Sequence, residues 1–340
     1  MPARVIVIGA SAGALGPLKE IMAGLPADLD AAVLVVRHIA ADGPALLPQL
    51  LAEAAALPVS QAIDGESIRA GQVYVAAPDR HLVVDRDGVH LTRAPKENFS
   101  RPAVDPLFRS AAQTYGRKVI GVILSGRLDD GTAGLWAIKR RGGITVVQDP
   151  RDAQEPSMPR SAMQYVELDH RLPASEIAAL LVSLTRSGPP RSEEAPVSKT
   201  LEIESGIARG ENALALGVME MGALTPYTCP ECHGVLVALD EGGIPRFRCH
   251  TGHAYSLSSL LSEVTTYVEN ALWNATRSIE EAILLMQHAA RHLREQGNRP
   301  AAELFASKAQ STEARAQLLR SALNEHEAIS LDLVTDDENR

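Results

Sequence analysis

With 340 residues the chain is long enough for about two domains. Its 45% hydrophobic and 22% charged residues are those of a globular protein, and a net charge of −9 argues against a nucleic-acid partner. No apolar run reaches the length of a membrane span, and no signal-peptide core opens the chain, so a cytoplasmic protein without membrane insertion is expected.

The first run, Val5-Ile6-Val7-Ile8, is β-branched and continuous, as in a strand buried on both faces. It ends in Gly9-Ala10-Ser11-Ala12-Gly13, and apolar residues then recur at helical spacing from Leu15. Ser11 is therefore expected on a tight strand-to-helix turn, beside the unpaired N–H groups of a helix N-terminus. G-x-S-x-G is the pattern of a nucleophile elbow, although plain structural turns share it.

Further strands are expected at residues 32–38, 72–77, 119–125, 144–148 and 165–168, and helices at 15–24, 44–55, 106–116, 131–141 and 174–185. Residues 81–92, around Arg86-Asp87-Gly88, read as a β-hairpin. This alternation predicts an α/β domain over residues 1–187, with a mostly parallel sheet covered by helices on both faces. A Pro-, Ser- and Glu-rich stretch begins a linker over residues 188–222. A compact module is expected at 223–256 and an α-helical hairpin at 257–326, broken by Gly297-Asn298-Arg299-Pro300. An acidic tail over 327–340 completes the chain.

Three polar features fall at strand ends, where open parallel sheets collect their chemistry. They are Ser11, His38 after the second strand, and Asp129-Asp130 in the turn Gly126-Arg127-Leu128-Asp129-Asp130-Gly131. A nucleophile, a base and an orienting carboxylate are what a triad requires. The bland readings are a loop histidine and an aspartate that caps a helix. The order Ser…His…Asp excludes the α/β-hydrolase arrangement, and G-A-S-A-G-A-L-G lacks the dinucleotide-binding spacing.

The segments VIVIGASAGALGPL, VLVVRHIA, GQVYVAAPDRHLVV, RPAVDPLFRSAA, VIGVILSGRLDDGTAGLWAIK and MPRSAM occur in order across residues 3–185. Together they resemble the catalytic domain of the chemotaxis protein-glutamate methylesterases of the CheB type. The resemblance implies Ser11 as nucleophile, His38 as base and Asp130 as orienting acid, with the backbone N–H groups of Ala12 and Arg127 as oxyanion donors. It further implies hydrolysis of glutamate γ-methyl esters on a signalling protein or receptor, or deamidation of glutamine, without a catalytic cofactor. Typical members read G-A-S-T-G-G and G-M-G-x-D-G where this chain has Ala12, Ala14 and Arg127. No receiver domain precedes the first strand, so access to Ser11 is expected to be open or governed by the C-terminal region.

Cys229, Cys232 and Cys249 are the only cysteines, and with His253 they give C-x2-C-x16-C-x3-H. That spacing predicts a zinc ribbon holding a structural Zn2+. His250 and His233 are alternative fourth ligands; His253 is the one that resembles the Gly-His closing similar C-terminal modules of esterase-like proteins. Residues 223–326 are expected to serve a regulatory partner or self-association. The competing function is a non-catalytic scaffold that keeps the esterase fold and binds partners through this module.

Overall fold

A computed structural model of the chain describes residues 2–189 and 194–326; the tail expected at 327–340 lies outside the described residues. The chain forms two compact units that divide between Ser259 and Leu260.

The first unit opens with β1 (Arg4–Ala10), α1 (Leu15–Gly24), β2 (Ala31–Arg37), α2 (Leu47–Ala52), β3 (Val59–Gln61) and β4 (Val73–Val75). The hairpin β5 (His81–Val84) and β6 (Val89–Thr92) follows as expected. Next come α3 (Val104–Tyr115), β7 (Val119–Ile123), α4 (Thr132–Arg140), β8 (Ile144–Gln148), α5 (Ser157–Tyr165), β9 (His170–Leu172) and α6 (Ala174–Ser187). Seven of these strands form one sheet in the order β3-β4-β2-β1-β7-β8-β9, and every pairing is parallel.

The period-2 alternation of a strand sends successive side chains to opposite faces. On β1, Val5 and Val7 join Leu34, Val104, Leu107, Phe108 and Leu135 in the core under α3 and α4. Ile6 and Ile8 join Leu18, Ile21, Met22, Ile177 and Leu181 under α1 and α6. Burying each such side chain stabilises by about 1.5–3 kcal/mol, which is why a strand apolar on both faces belongs at the centre. With β2 on one side of β1 and β7 on the other, strand order reverses at β1. Its carboxyl end is thus a topological switch point.

The expected strand at 165–168 does not form. Residues 157–165 are helical, Val166 caps that helix in extended backbone, and the edge strand starts at His170. Pro159 obscured the helix, yet it stands in the first turn, where its missing N–H costs nothing. The stretch read as linker carries a further helix, α7 (Lys199–Ala208), with Ser198 accepting from the Leu201 N–H at its start. Its buried Leu201, Ile203, Glu204 and Ile207 make it part of the packed unit.

Strands β10 (Ala223–Thr228), β11 (Val235–Glu241), β12 (Ile244–Cys249) and β13 (Ala254–Ser256) form a four-stranded antiparallel sheet in which β11 and β12 pair as a hairpin. Its β11–β12 turn approaches α4 so closely that a Cβ on Gly242 would lie 2.2 Å from the Trp136 indole nitrogen. The helices α8 (Leu257–Glu295) and α9 (Arg299–Asn324) form the predicted hairpin. Asn298 caps α9 by accepting from the Ala301 N–H, with Pro300 in the first turn. Ile283, Ala309 and Ala316 are buried between the two helices.

Candidate active site

The turn after β1 is held from the neighbouring strand. The Ser11 N–H donates to the Ser125 carbonyl at 3.0 Å, and the Ser125 hydroxyl donates to the Ala12 carbonyl at 2.9 Å. Gly13 has φ +73°, and a Cβ there would sit 2.7 Å from both Ser125 Oγ and Gln154 Cβ. Only glycine meets the dihedral and the space together. Gly9 likewise admits the N-terminus of α3, since its Cβ would fall 2.3 Å from Val104 Cγ1.

His38 follows β2, and its N–H donates to the Ala10 carbonyl at 3.1 Å. Its side chain reaches both other expected residues: Nδ1 lies 3.1 Å from Ser11 Oγ, and Nε2 lies 2.7 Å from Asp130 Oδ2. The imidazole is 19% exposed and the Asp130 side chain 2%, so one end of the array faces solvent and the other is buried.

Asp130 is reached from β7 through Leu128 at φ +60° and is followed by Gly131 at φ +90°. Its carboxylate stands at the N-terminus of α3. Oδ2 accepts from Val104 N–H at 2.6 Å, while Oδ1 accepts from Asp105 N–H at 3.3 Å and Gly131 N–H at 2.9 Å. The Asn98 amide donates to Oδ1 at 3.1 Å. Burial alone would raise this carboxyl, but the His38, Val104 and Asn98 bonds hold it down to about 2. An ionised carboxylate only accepts, so Nε2 of His38 carries the hydrogen and Nδ1 is left to accept from Ser11. Burial and the Asp130 charge together push the neighbouring Asp105 up to about 7.

Asp129 points elsewhere, accepting from the Ser256 hydroxyl at 2.6 Å. The turn of Gly126 and Arg127 lies against Ser11: a Cβ on Gly126 would be 2.8 Å from Ser11 Cβ and 2.0 Å from Met158 Sδ. Ala12 and Arg127, the expected oxyanion donors, therefore sit on two turns that meet at Ser11. The Arg127 guanidinium pairs with Glu155 at 3.1 Å and is 72% exposed. Sequence reading missed Ser125, Met158 and Asn98. Ser125 was legible only as the last residue of a strand, and nothing in the spacing of Asn98 linked it to Asp130.

Away from this array, the ligand atoms of Cys229, Cys232, Cys249 and His253 lie within 4.8 Å of one another and could hold a metal ion. Thiolates about 2.3 Å from a tetrahedral ion stand about 3.8 Å apart. Cys232 Sγ and Cys249 Sγ are 3.6 Å apart, and His253 Nδ1 is 3.7 Å from Cys229 Sγ and 3.6 Å from Cys249 Sγ. These distances fit a shared ion and are far too long for a disulfide. Nε2 of His253 meets Glu231 at 3.1 Å, the outer carboxylate that commonly orients a ligating imidazole. Neither His250 nor His233 joins the cluster of four. Among the described residues no helix is long and apolar enough to cross a membrane.

A family model described as CheB methylesterase matches residues 6–181. A putative protein-glutamate methylesterase/protein-glutamine glutaminase of Leptospira interrogans is 38% identical over 185 residues, covering 54% of this chain and 96% of the relative. A protein-glutamate methylesterase/protein-glutamine glutaminase of Anaeromyxobacter dehalogenans is 42% identical over 183 residues, covering 54% of each chain. The crystal structure of the Thermotoga maritima CheB methylesterase catalytic domain aligns with a TM-score of 0.51 at 34% identity, over 53% of this chain and 97% of that one.

Proposed function

Because the chain belongs to the CheB methylesterase family, we propose that it is a protein-glutamate methylesterase and glutamine deamidase that works through Ser11, His38 and Asp130. The observation that carries this reading is the continuous hydrogen-bonded line from Ser11 Oγ through the His38 ring to Asp130. A scaffold that had lost its chemistry would have no reason to keep that line.

In this reaction Ser11 Oγ attacks the γ-carbonyl carbon of a methylated glutamate as His38 Nδ1 takes its proton. Asp130 stabilises the imidazolium through Nε2–H. The backbone N–H groups of Ala12 and Arg127 receive the developing oxyanion. Collapse breaks the carbon–oxygen bond to the methoxy group, which leaves as methanol with the proton from His38. Water then attacks the acyl-enzyme, His38 takes its proton, and a glutamate carboxylate and free Ser11 are restored. A glutamine side chain passes through the same steps with ammonia as the leaving group.

The Cys229, Cys232, Cys249 and His253 donor set supports a structural Zn2+, with all four positions filled by protein and none left for substrate. Such an ion would stabilise a sheet too small to bury much core.

The test is release of methanol from a methylated receptor and of ammonia from its glutamine form, together with fluorophosphonate labelling. Ser11→Ala is expected to abolish labelling and to lower kcat about ten-thousand-fold or more, with His38→Ala similarly impaired. Turnover by Ser11→Ala at the wild-type rate would overturn the assignment.

A further inference from the structure

The Asn98 amide touches the catalytic side and the C-terminal side of the first unit at once. Its Oδ1 accepts from the Ser256 N–H at 2.9 Å and from the Ser259 hydroxyl at 2.9 Å. A backbone N–H can only donate, so the oxygen must face residues 256–259 and the NH2 group must face Asp130. The backbone of the same short segment is stitched to β13. Asn98 N–H donates to the Ala254 carbonyl at 2.8 Å, and Ala254 N–H donates to the Lys96 carbonyl at 3.3 Å. The Phe99 ring stands 4.8 Å from that of Tyr255, whose hydroxyl is 3.0 Å from Cys229 Sγ.

This segment would not hold its shape alone. Asn98 and Phe99 have φ of +49° and +61°, in the left-handed region that side chains rarely adopt, least of all a bulky one such as Phe99. Next to them, buried Glu97 is tied to Arg109 of α3 and to Arg248 of β12. Residues 96–100 are therefore a strap clamped between the catalytic sheet and the small antiparallel sheet. The strap delivers one N–H to the carboxylate that orients His38.

We propose that Asn98 is a positioning residue for Asp130, held in place by Ser256 and Ser259, so that the C-terminal sheet and the start of α8 set the geometry of the active site. This rests on Asp130 acting as the orienting acid. Fixing Oδ1 keeps Oδ2 turned toward Nε2–H of His38. Without Asn98 the carboxylate keeps its backbone donors but loses its tie to residues 256–259.

The experiment uses the full-length chain and reads kcat and KM for methanol release, fluorophosphonate labelling rate at Ser11, and thermal melting. Asn98→Ala is expected to lower kcat about tenfold with KM within about twofold. Asn98→Asp is the sharper variant, because it keeps an oxygen for Ser256 and Ser259 and removes only the donor to Asp130. Asp130, Asp129 and Asp105 all lie on this side, while Glu97 is engaged by Arg109 and Arg248, so the introduced carboxyl titrates above the usual carboxylate range. Its labelling rate relative to wild type, read well below the melting temperature, is expected to climb as pH falls and the protonated side chain donates again; by linkage its melting temperature is lowered at high pH and recovers over the same range. Ser259→Ala is expected to slow kcat about threefold, and Ser259→Thr, which keeps the hydroxyl, to recover it.

Wild-type labelling by Asn98→Asp at every pH would overturn this inference and leave the esterase reading intact. So would a loss of kcat in Ser259→Ala that Ser259→Thr does not recover. Failure of the wild type itself to label or turn over would overturn both.

Discussion

Asp105 and Asp130 show how differently two adjacent buried carboxyls can behave. Asp130 collects donors from His38, Val104, Asn98 and Gly131 and stays ionised. Asp105 accepts the Gly134 N–H at 2.7 Å and lies 3.8 Å from the Arg109 guanidinium, but faces the Asp130 charge, and burial and that charge hold it near 7. A folded-state value above the unfolded one means that folding takes up a proton between about pH 4 and 7. The stability linked to Asp105 is therefore fully present below pH 4 and lost as pH rises through 7. Asp105→Asn keeps an acceptor for Gly134 and removes the titration. It is expected to melt above wild type at pH 8, with a flatter profile of melting temperature between pH 4 and 7. An unchanged difference from wild type across that range would refute the assignment.

At the scale of elements, α3, α7 and β12 are joined by a buried charge cluster. Glu204 of α7 meets Arg109 at 3.2 Å, Arg246 at 3.2 Å and Arg248. Burial opposes its charge, but the three guanidinium groups hold its carboxyl well below the ordinary range. Taking one charge from such a cluster leaves the others desolvated and unmatched, at a cost of about 3–5 kcal/mol. Glu204→Gln is expected to lose about 3 kcal/mol in urea denaturation; a change within 0.5 kcal/mol of zero, of the size usual for surface sites, would show that the cluster is not a clamp.

None of this was visible in the chain order. Strands β1, β2, β7 and β8 were legible because β-branched runs buried on both faces are unambiguous. Ser11 and His38 stood out because they follow such runs directly; Asp129 and Asp130 lie in the turn after one, and only the family resemblance, not the run, singled out Asp130. Helix α7 was hidden by the Pro, Ser and Glu preceding it, and its buried Glu204 looks like a surface residue until Arg246 and Arg248 are brought to it. Asn98 was hidden for the same reason: its partners lie about 30 and 160 positions away, and no local period encodes them.

Across the whole first unit, the proposed metal centre and the proposed triad share a physical path through Cys229, Tyr255, the strap at 96–100 and Asp130. A chelator strong enough to strip the four donors is expected to lower the melting temperature and to slow fluorophosphonate labelling of Ser11, with both restored by added Zn2+. Labelling that stays constant while the metal is lost would separate the two sites.

The strap also bears on timing. Every strand of the parallel sheet has been made once Leu172 leaves the ribosome, yet the groups that grip the Asn98 oxygen belong to residues 256 and 259. Roughly 90 further residues must be translated first, which at bacterial-type speeds takes about 5–20 s. During that interval a nascent chain would display Ser11 and His38 with their acid imperfectly aimed. Full hydrolytic rate would thus arrive only after the parallel sheet is complete, when residues 256–259 take hold of Asn98.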